Sequence, residues 1–327
     1  MDLTPPMDQH DSTPAILCPG QGAQAEGMGK DWADSFPEAK AVWDEADEVL
    51  GFSLSKACWE SGDDVHRTDI AQPGIFTTGV AVLRVLEGHG FDLSRAPWAA
   101  GLSLGEYTAH WAAGTFDFAA GLRLVRLRGE AMQDASEQNP SGMASLMGAT
   151  PEQAEALAKV GAEHGVCQVA NLNAPGQIVV SGAFPALDAV EAAAKEHGVR
   201  RVRRLVVAGG FHSECMRPAA DRLAAALEET DIQVPRIPVL SNVTAEAVET
   251  IQGVKDTLGA QVCAPVLWER TMRGAIDRGT TRFVETGPGT ILAGILRKID
   301  GDATVTPVAT PSDLPAALES LGLTAPS

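Results

Sequence analysis

Strand-length segments alternate with longer helical patterns along most of this 327-residue chain, and that alternation limits its fold more than any other feature. The apolar run AILC (15–18) is followed by helical patterns over 37–50 and 75–88. WAAG (98–101) leads into a helix through Ala113, and another helix covers roughly 118–133. Later come a helix over 213–229, IPVLSN (237–242), helices around 250–260 and 266–278, RFVET (282–286), a helix over 290–298, TVTPV (304–308) and a last helix near 312–321. Strands joined by helices predict a mostly parallel sheet covered on both faces.

The rhythm changes in the middle of the chain. MASLMGA (143–149) reads as a strand, and PEQAEALAKVGAEHG (151–165) as a helix with Pro near its start and Gly at its end. VCQVANLN (166–173) and QIVVSGA (177–183) are two strands joined by APG, FPALDAVEAAAKEHG (184–198) is a helix, and VRRVRRLVV (199–207) is a final strand. The order β-α-β-β-α-β is that of the ferredoxin-like split unit. The expected division is a loose tail over 1–14, a core made of 15–138 and 209–327, and an inserted small domain over 139–208.

Composition excludes several classes of function. A formal net charge of −18 argues against nucleic acid as a partner, since that needs a basic surface. No apolar run is long enough to span a bilayer, and the polar start MDLTPPMDQHDSTP is no secretory signal, so no membrane is expected. Five cysteines (18, 58, 167, 215 and 263) are scattered without a CxxC pair, which fits a reducing, cytoplasmic setting and no structural metal. Against the acidic background, Arg200, Arg201, Arg203 and Arg204 cluster in one segment. They read either as solvated arginines on a strand edge or as a docking patch for an acidic partner.

The segment AAGLSLGEYTAHW (99–111) carries the first chemical signal. Gly101-x-Ser103-x-Gly105 is the pattern of a nucleophile elbow, and Ser103-x-x-Glu106 is that of a capping box. A capping box makes no demand on positions 101 and 105. An elbow does, because its sharp turn brings backbones close, so the two glycines after a strand favour the elbow. The two readings are compatible. The fold class expected is therefore α/β, an α/β-hydrolase-like core with a mostly parallel sheet plus the inserted ferredoxin-like unit.

A serine nucleophile needs a base within hydrogen-bond reach. His110 follows Ser103 on the same helix, about 10 Å down its axis, and reads as structural. His10 sits in the tail, and His66, His89, His164 and His197 lie in or beside polar loops. His212, in VVAGGFHSECM, directly follows a predicted strand, where sites form in open α/β sheets. Gly209 and Gly210 free the backbone there, so His212 is the best placed base, with a loop histidine as the plain alternative. The stretch PGQGAQAEG (19–27) also matches a short dinucleotide fingerprint, but a helical pattern follows where that fingerprint needs a strand. Such a loop can instead present N–H groups to a developing oxyanion.

Taken together, PGQGAQ (19–24), GLSLGEY (101–107), LVRLRGEAMQ (124–133), NLNAPGQIVVSG (171–182), GGFHS (209–213), SNVTA (241–245), QVCAPVLW (261–268) and FVETGPGTILAGIL (283–296) resemble, in order, the motifs of malonyl-CoA:acyl carrier protein transacylases and related polyketide acyltransferase domains. The resemblance runs from about Ala15 to at least Lys298. It implies Ser103 as the acylated nucleophile, His212 as its base, and a backbone carbonyl at Gln261 orienting the imidazole. It implies an oxyanion hole from the N–H groups of Gln21 and Leu104, and Arg128 as the clamp for the malonyl carboxylate. Asn173 falls in a motif near the cleft. Phe211, before the histidine, matches the malonyl-selecting class, its ring crowding an α-methyl branch.

Arg128 has a physical argument of its own, since a guanidinium among apolar helix positions needs a partner and its planar fork matches a carboxylate. Arg123 and Arg126 on the same helix read as surface arginines. Leu102 departs from the family, which usually has His before the nucleophile. The implied reaction is ping-pong malonyl transfer from malonyl-CoA to acyl carrier protein with no cofactor, by a monomer. From the chain's length, fatty-acid synthesis is expected rather than polyketide synthesis. The alternatives are an acyltransferase or editing hydrolase for another acyl thioester, a generic serine esterase, and a non-catalytic scaffold that binds carrier protein.

Overall fold

The computed structural model describes residues 13–323, so nearly all of the expected tail, with His10, lies outside the described residues. The strands are β1 (Ala15–Cys18), β2 (Ala99–Gly101), β3 (Ser141–Met147), β4 (Cys167–Ala174), β5 (Gln177–Ala183), β6 (Arg201–Arg204), β7 (Val239–Leu240), β8 (Ala247–Val248), β9 (Arg282–Thr286) and β10 (Thr304–Val308). They form two sheets, of order β10-β9-β1-β2-β7-β8 and β4-β5-β3-β6.

In the larger sheet β10 through β7 are parallel, and only the edge strand β8 runs antiparallel. Every residue of β1 and β2 is buried. That burial on both faces is why AILC and WAAG carry no polar alternation. The apolar sets on the two faces are distinct: Ile16 and Cys18 face one cluster with Phe76 and Leu104, while Ala15 and Leu17 face another with Trp268 and Phe283.

The smaller sheet is wholly antiparallel, and its order is that of the ferredoxin-like unit. The helices Pro151–Ala162 and Phe184–Ala193 cover it through Leu157, Leu187 and Val190. It is tied to the core by the backbone of Val266, whose N–H reaches Ala170 O at 2.8 Å and whose carbonyl accepts from Leu172 N at 2.9 Å. Most elements thus lie where the sequence pattern sets them.

The differences have local causes. The helix beginning at Thr68 runs through to Gly88 with Pro73 inside it, whereas the sequence pattern started it at 75. Proline removes the N–H that would bond the carbonyl of Asp69. The Arg126 guanidinium donates to that carbonyl instead and also pairs with the Asp69 carboxylate, so Arg126 repairs the helix rather than simply decorating the surface. IPVLSN shrinks to the two residues of β7, and VRRVRRLVV to the four of β6. The helix expected from 213 begins at Arg217, after a 3₁₀ turn at Glu214–Met216. Short helices at Lys30–Ser35 and Leu54–Trp59 were not legible, being too brief to establish a period. Among the described residues no helix is long and apolar enough to cross a membrane.

Candidate active site

The site lies beyond the carboxyl ends of β1 and β2, at the centre of the large sheet, where open α/β sheets place their ligands. After β2 the chain turns sharply into the helix Gly105–Ala112, and Ser103 sits at the turn with φ 53°. Such a left-handed conformation costs a non-glycine residue of order 1–3 kcal/mol and persists only where neighbours enforce it. The flanking glycines are forced by contact. A Cβ on Gly101 would lie 1.9 Å from the Gly105 carbonyl carbon, and one on Gly105 would lie 2.0 Å from Cys18 O. Gly20 is equally tight, its Cβ position 2.1 Å from Leu102 O, so the PGQG loop packs directly on the elbow.

The capping box suggested by Ser103 and Glu106 is not formed. The first turn of that helix has no side-chain cap, and the Ser103 N–H bonds Asn242 Oδ1 at 2.6 Å rather than Glu106. The hydroxyl instead meets His212, with Oγ to Nε2 at 2.8 Å. His212, itself at φ 58° and 4% exposed, places Nδ1 2.8 Å from the carbonyl of Gln261. That carbonyl can only accept, so Nδ1 carries the proton and Nε2 is left to accept from Ser103. Burial, and next the charge of Arg128, lower the imidazole to about 4. The loop carrying it is fixed by Gly210 N donating to Ser141 Oγ at 2.9 Å and by Ser213 Oγ donating to Gly210 O at 2.6 Å.

Arg128, on the helix Phe118–Gln138, is 1% exposed. One Nη donates to Gln72 Oε1 at 2.7 Å; the other donates to Ser103 Oγ at 3.0 Å and Gln261 Oε1 at 2.9 Å. Its guanidinium carbon lies 5.6 Å from the Tyr107 ring centre. Nε has no partner, and among the described residues no carboxylate forms an ion pair with this guanidinium. Burial lowers its pKa from the usual arginine value. A buried cation in this state has the chemistry to receive an anion.

The structure brings Ser103, His212, Arg128 and Gln261 together, and Gln21 approaches them, its side chain 3.5 Å from Gln72 Nε2 and 3.4 Å from Thr68 Oγ1. Leu104 is the N-cap residue of the elbow helix, and Phe211 is buried beside His212. Asn173 lies on β4 with Oδ1 buried and unpartnered, and it forms no hydrogen bond with those four. Of the arginine cluster, Arg200, Arg201 and Arg203 are exposed, while Arg204 pairs with Asp188 at 2.6 Å and Glu191 at 3.3 Å.

Sequence reasoning missed Gln72, Asn242 and the side chain of Gln261. Gln72 stood before the expected helix start at 75 and left no signal, whereas Asn242 stood in SNVTA and left a faint one.

A parallel-sheet core with a strained serine paired to a buried histidine defines an α/β serine enzyme. Residues 16–309 match the family model of the acyl transferase domain, and the chain belongs to that family. It is 38% identical to the malonyl CoA-acyl carrier protein transacylase of Bacillus subtilis (strain 168), over 94% of this chain and 96% of that protein. Among solved structures it is similar to the acyl-carrier-protein-S-malonyltransferase from Bartonella henselae, with TM-score 0.90 and 36% identity over 94% of this chain and 99% of that one. A second is a malonyl-transacylase in complex with its type II PKS acyl-carrier protein, with TM-score 0.89 and 33% identity over 93% of this chain and 98% of that one.

Proposed function

We propose that the protein transfers a malonyl group from malonyl-CoA, through an ester on Ser103, to the phosphopantetheine thiol of acyl carrier protein. One observation carries the choice of acyl group: the buried Arg128 guanidinium, without a carboxylate partner among the described residues, lies 3.0 Å from Ser103 Oγ. A free carboxylate on the acyl chain, one methylene from the thioester, suits that fork.

Ser103 Oγ attacks the thioester carbonyl as His212 Nε2 takes its proton, and the same proton leaves on the CoA sulfur as the tetrahedral intermediate collapses. The carrier thiol then attacks the malonyl ester with His212 again as base, and the ester bond to Ser103 breaks as Oγ leaves with that proton. The N–H groups of Gln21 and Leu104 hold the oxyanion. Neither donates to a protein acceptor among the described residues, which supports that role. Phe211 narrows the acyl pocket against an α-methyl branch. Leu102 leaves the dyad untouched, since neither Ser103 nor His212 bonds it through a side chain.

Arg200, Arg201 and Arg203 are the reading for a carrier docking patch; the exposure of Arg201 and Arg203 on the edge strand of the small sheet, and of Arg200 just before it, supports this, whereas Arg204 is already paired with Asp188. The inserted unit over 139–208 is read as a domain that carries this patch. The five buried, unpaired cysteines support a cytoplasmic enzyme. A monomer is the reading for its assembly, which sedimentation tests.

Intact-protein mass spectrometry after brief incubation with malonyl-CoA tests the whole scheme. A malonyl adduct on the wild type and none on Ser103→Ala is the expected result. An adduct only with acetyl- or longer acyl-CoA would keep the nucleophile and overturn the substrate.

A further inference from the structure

Glu106 is fully buried in the first turn of the elbow helix. Its Oε2 accepts from Gln261 Nε2 at 2.5 Å and from Asn242 N at 3.2 Å. These two partners hold the site from separate segments, Gln261 at the end of the helix Ile251–Gln261 and Asn242 just after β7. Gln261 supplies the carbonyl behind His212, donates to Ser103 O at 3.0 Å and accepts from Arg128 at 2.9 Å. Asn242 grips the elbow backbone at Ser103 N and Gly101 O. The Glu106 carboxylate therefore sits behind the contacts that orient the dyad and bonds neither of its members.

Hydrogen bonding alone does not call for a carboxylate here. Both bonds run to Oε2, and Oε1 has no partner, so the single carbonyl oxygen of a glutamine would satisfy them equally. A buried carboxylate is costly unless its charge is used. The charge has a counterpart: the guanidinium of Arg128 donates to Gln261 Oε1 while Gln261 Nε2 donates to Glu106, so one amide bridges a cation and an anion. We propose that Glu106 is a positioning residue for acyl transfer, its carboxylate fixing Gln261 and offsetting the field of Arg128 on His212. The inference rests on the Ser103–His212 reaction proposed above.

The charged and titratable groups packed about Glu106 are Arg128 from the helix Phe118–Gln138, His212 across Gln261, and Tyr107 on its own helix. Burial raises Glu106 to about 7, against smaller opposing effects of Gln261, Asn242, Arg128 and Ser241. His212 becomes an imidazolium as Ser103 attacks. The ionised carboxylate favours that state and the protonated one does not, so acylation gains rate as pH rises through about 7.

First-turnover acylation by malonyl-CoA, followed by rapid quench and intact mass, isolates this step from the titration of the carrier thiol. The wild-type rate should climb about three- to tenfold between about pH 6 and about 8. Glu106→Gln should stay at the low-pH rate across that range, with KM for malonyl-CoA within about twofold of wild type. Glu106→Ala, which loses the acceptor as well, should fall at least about tenfold below Glu106→Gln, and the glutamine variant carries the test alone if the alanine variant does not fold. A Glu106→Gln enzyme that keeps the wild-type step, or loses affinity with an unchanged first-turnover rate, overturns the role of Glu106 and leaves the Ser103 reaction standing. No adduct on the wild type with any acyl-CoA overturns both.

Discussion

Asn242 holds the backbone of Ser103 from just beyond the neighbouring strand β7, its Oδ1 accepting the Ser103 N–H at 2.6 Å while its Nδ2 donates to Gly101 O at 2.7 Å. The strained φ of 53° at Ser103 is thereby fixed at the residue itself and two residues before it. Asn242→Ala would leave two buried backbone groups unpaired, a cost of about 2–4 kcal/mol. Urea unfolding should show that loss, and acylation should fall by at least about tenfold at saturating malonyl-CoA as the hydroxyl drifts from His212.

The glycines of the elbow make a harsher prediction. With a Cβ position 1.9 Å from the Gly105 carbonyl carbon, Gly101→Ala cannot be absorbed by a side-chain shift. The strand or the helix would have to move, and a loss above about 4 kcal/mol or insoluble expression is expected. Gly22→Ala is the control: its Cβ meets nothing within 4 Å, and its φ of 109° limits the penalty to backbone strain. Comparison of soluble yield and thermal midpoint checks the contrast.

Removal of the guanidinium should discriminate between acyl groups. Arg128→Ala is expected to lower kcat/KM for malonyl-CoA by about 100-fold or more, since a desolvated charge-assisted pair is worth about 2–5 kcal/mol. Arg128→Lys should recover little, because a single ammonium cannot reproduce the contacts to Gln72, Ser103 and Gln261. An esterase using the same serine would keep its rate in both variants.

The pH dependence follows from the buried histidines. In the proposed reaction His212 is the neutral base, and with its value lowered to about 4 it stays neutral well below the usual histidine range. Below the Glu106 step, acylation should therefore level off between about pH 6 and about 5 rather than continue to fall. His110, fully buried and lowered to about 3 by desolvation, acts on stability instead. The unfolded chain binds a proton at this residue below about pH 6.5 that the folded one refuses, so stability falls as pH drops. His110→Asn should lose about 2 kcal/mol less than wild type between about pH 6.5 and about 5, measured by urea unfolding at each pH.

Charge reversal of Arg201 and Arg203 should raise KM for acyl carrier protein several-fold and steepen neither acylation nor its pH profile. Both side chains are exposed and point away from the Asp188 and Glu191 that hold Arg204. Single-turnover acylation beside steady-state transfer separates the two effects, and an unchanged KM for carrier protein would remove the patch.

The local parts of this molecule were legible in its letters. AILC and WAAG are buried on both faces and so carry no alternation, which identified the central strands without any contact information. The glycines at 101 and 105 pointed to the elbow because only a close backbone approach explains them. The cap that Ser103 and Glu106 also spelled was a true local possibility that lost to the tertiary partners of both residues, Asn242, His212 and Gln261. The unbroken helix through Pro73 was illegible for a similar reason: its missing hydrogen bond is replaced by Arg126, far along the chain.

By itself, then, the sequence determined the alternation of strand and helix and pointed to the antiparallel unit and to the serine, histidine and arginine that the structure brings together, because each depends on a neighbour within a few residues or on the family pattern. Only the tertiary structure decided that Arg128 is the buried member of three arginines on its helix, that Gln261 serves with its side chain as well as its carbonyl, and that a carboxylate lies behind the site. Those roles are set by contacts between residues 25 to 155 positions apart, and no local periodicity records them.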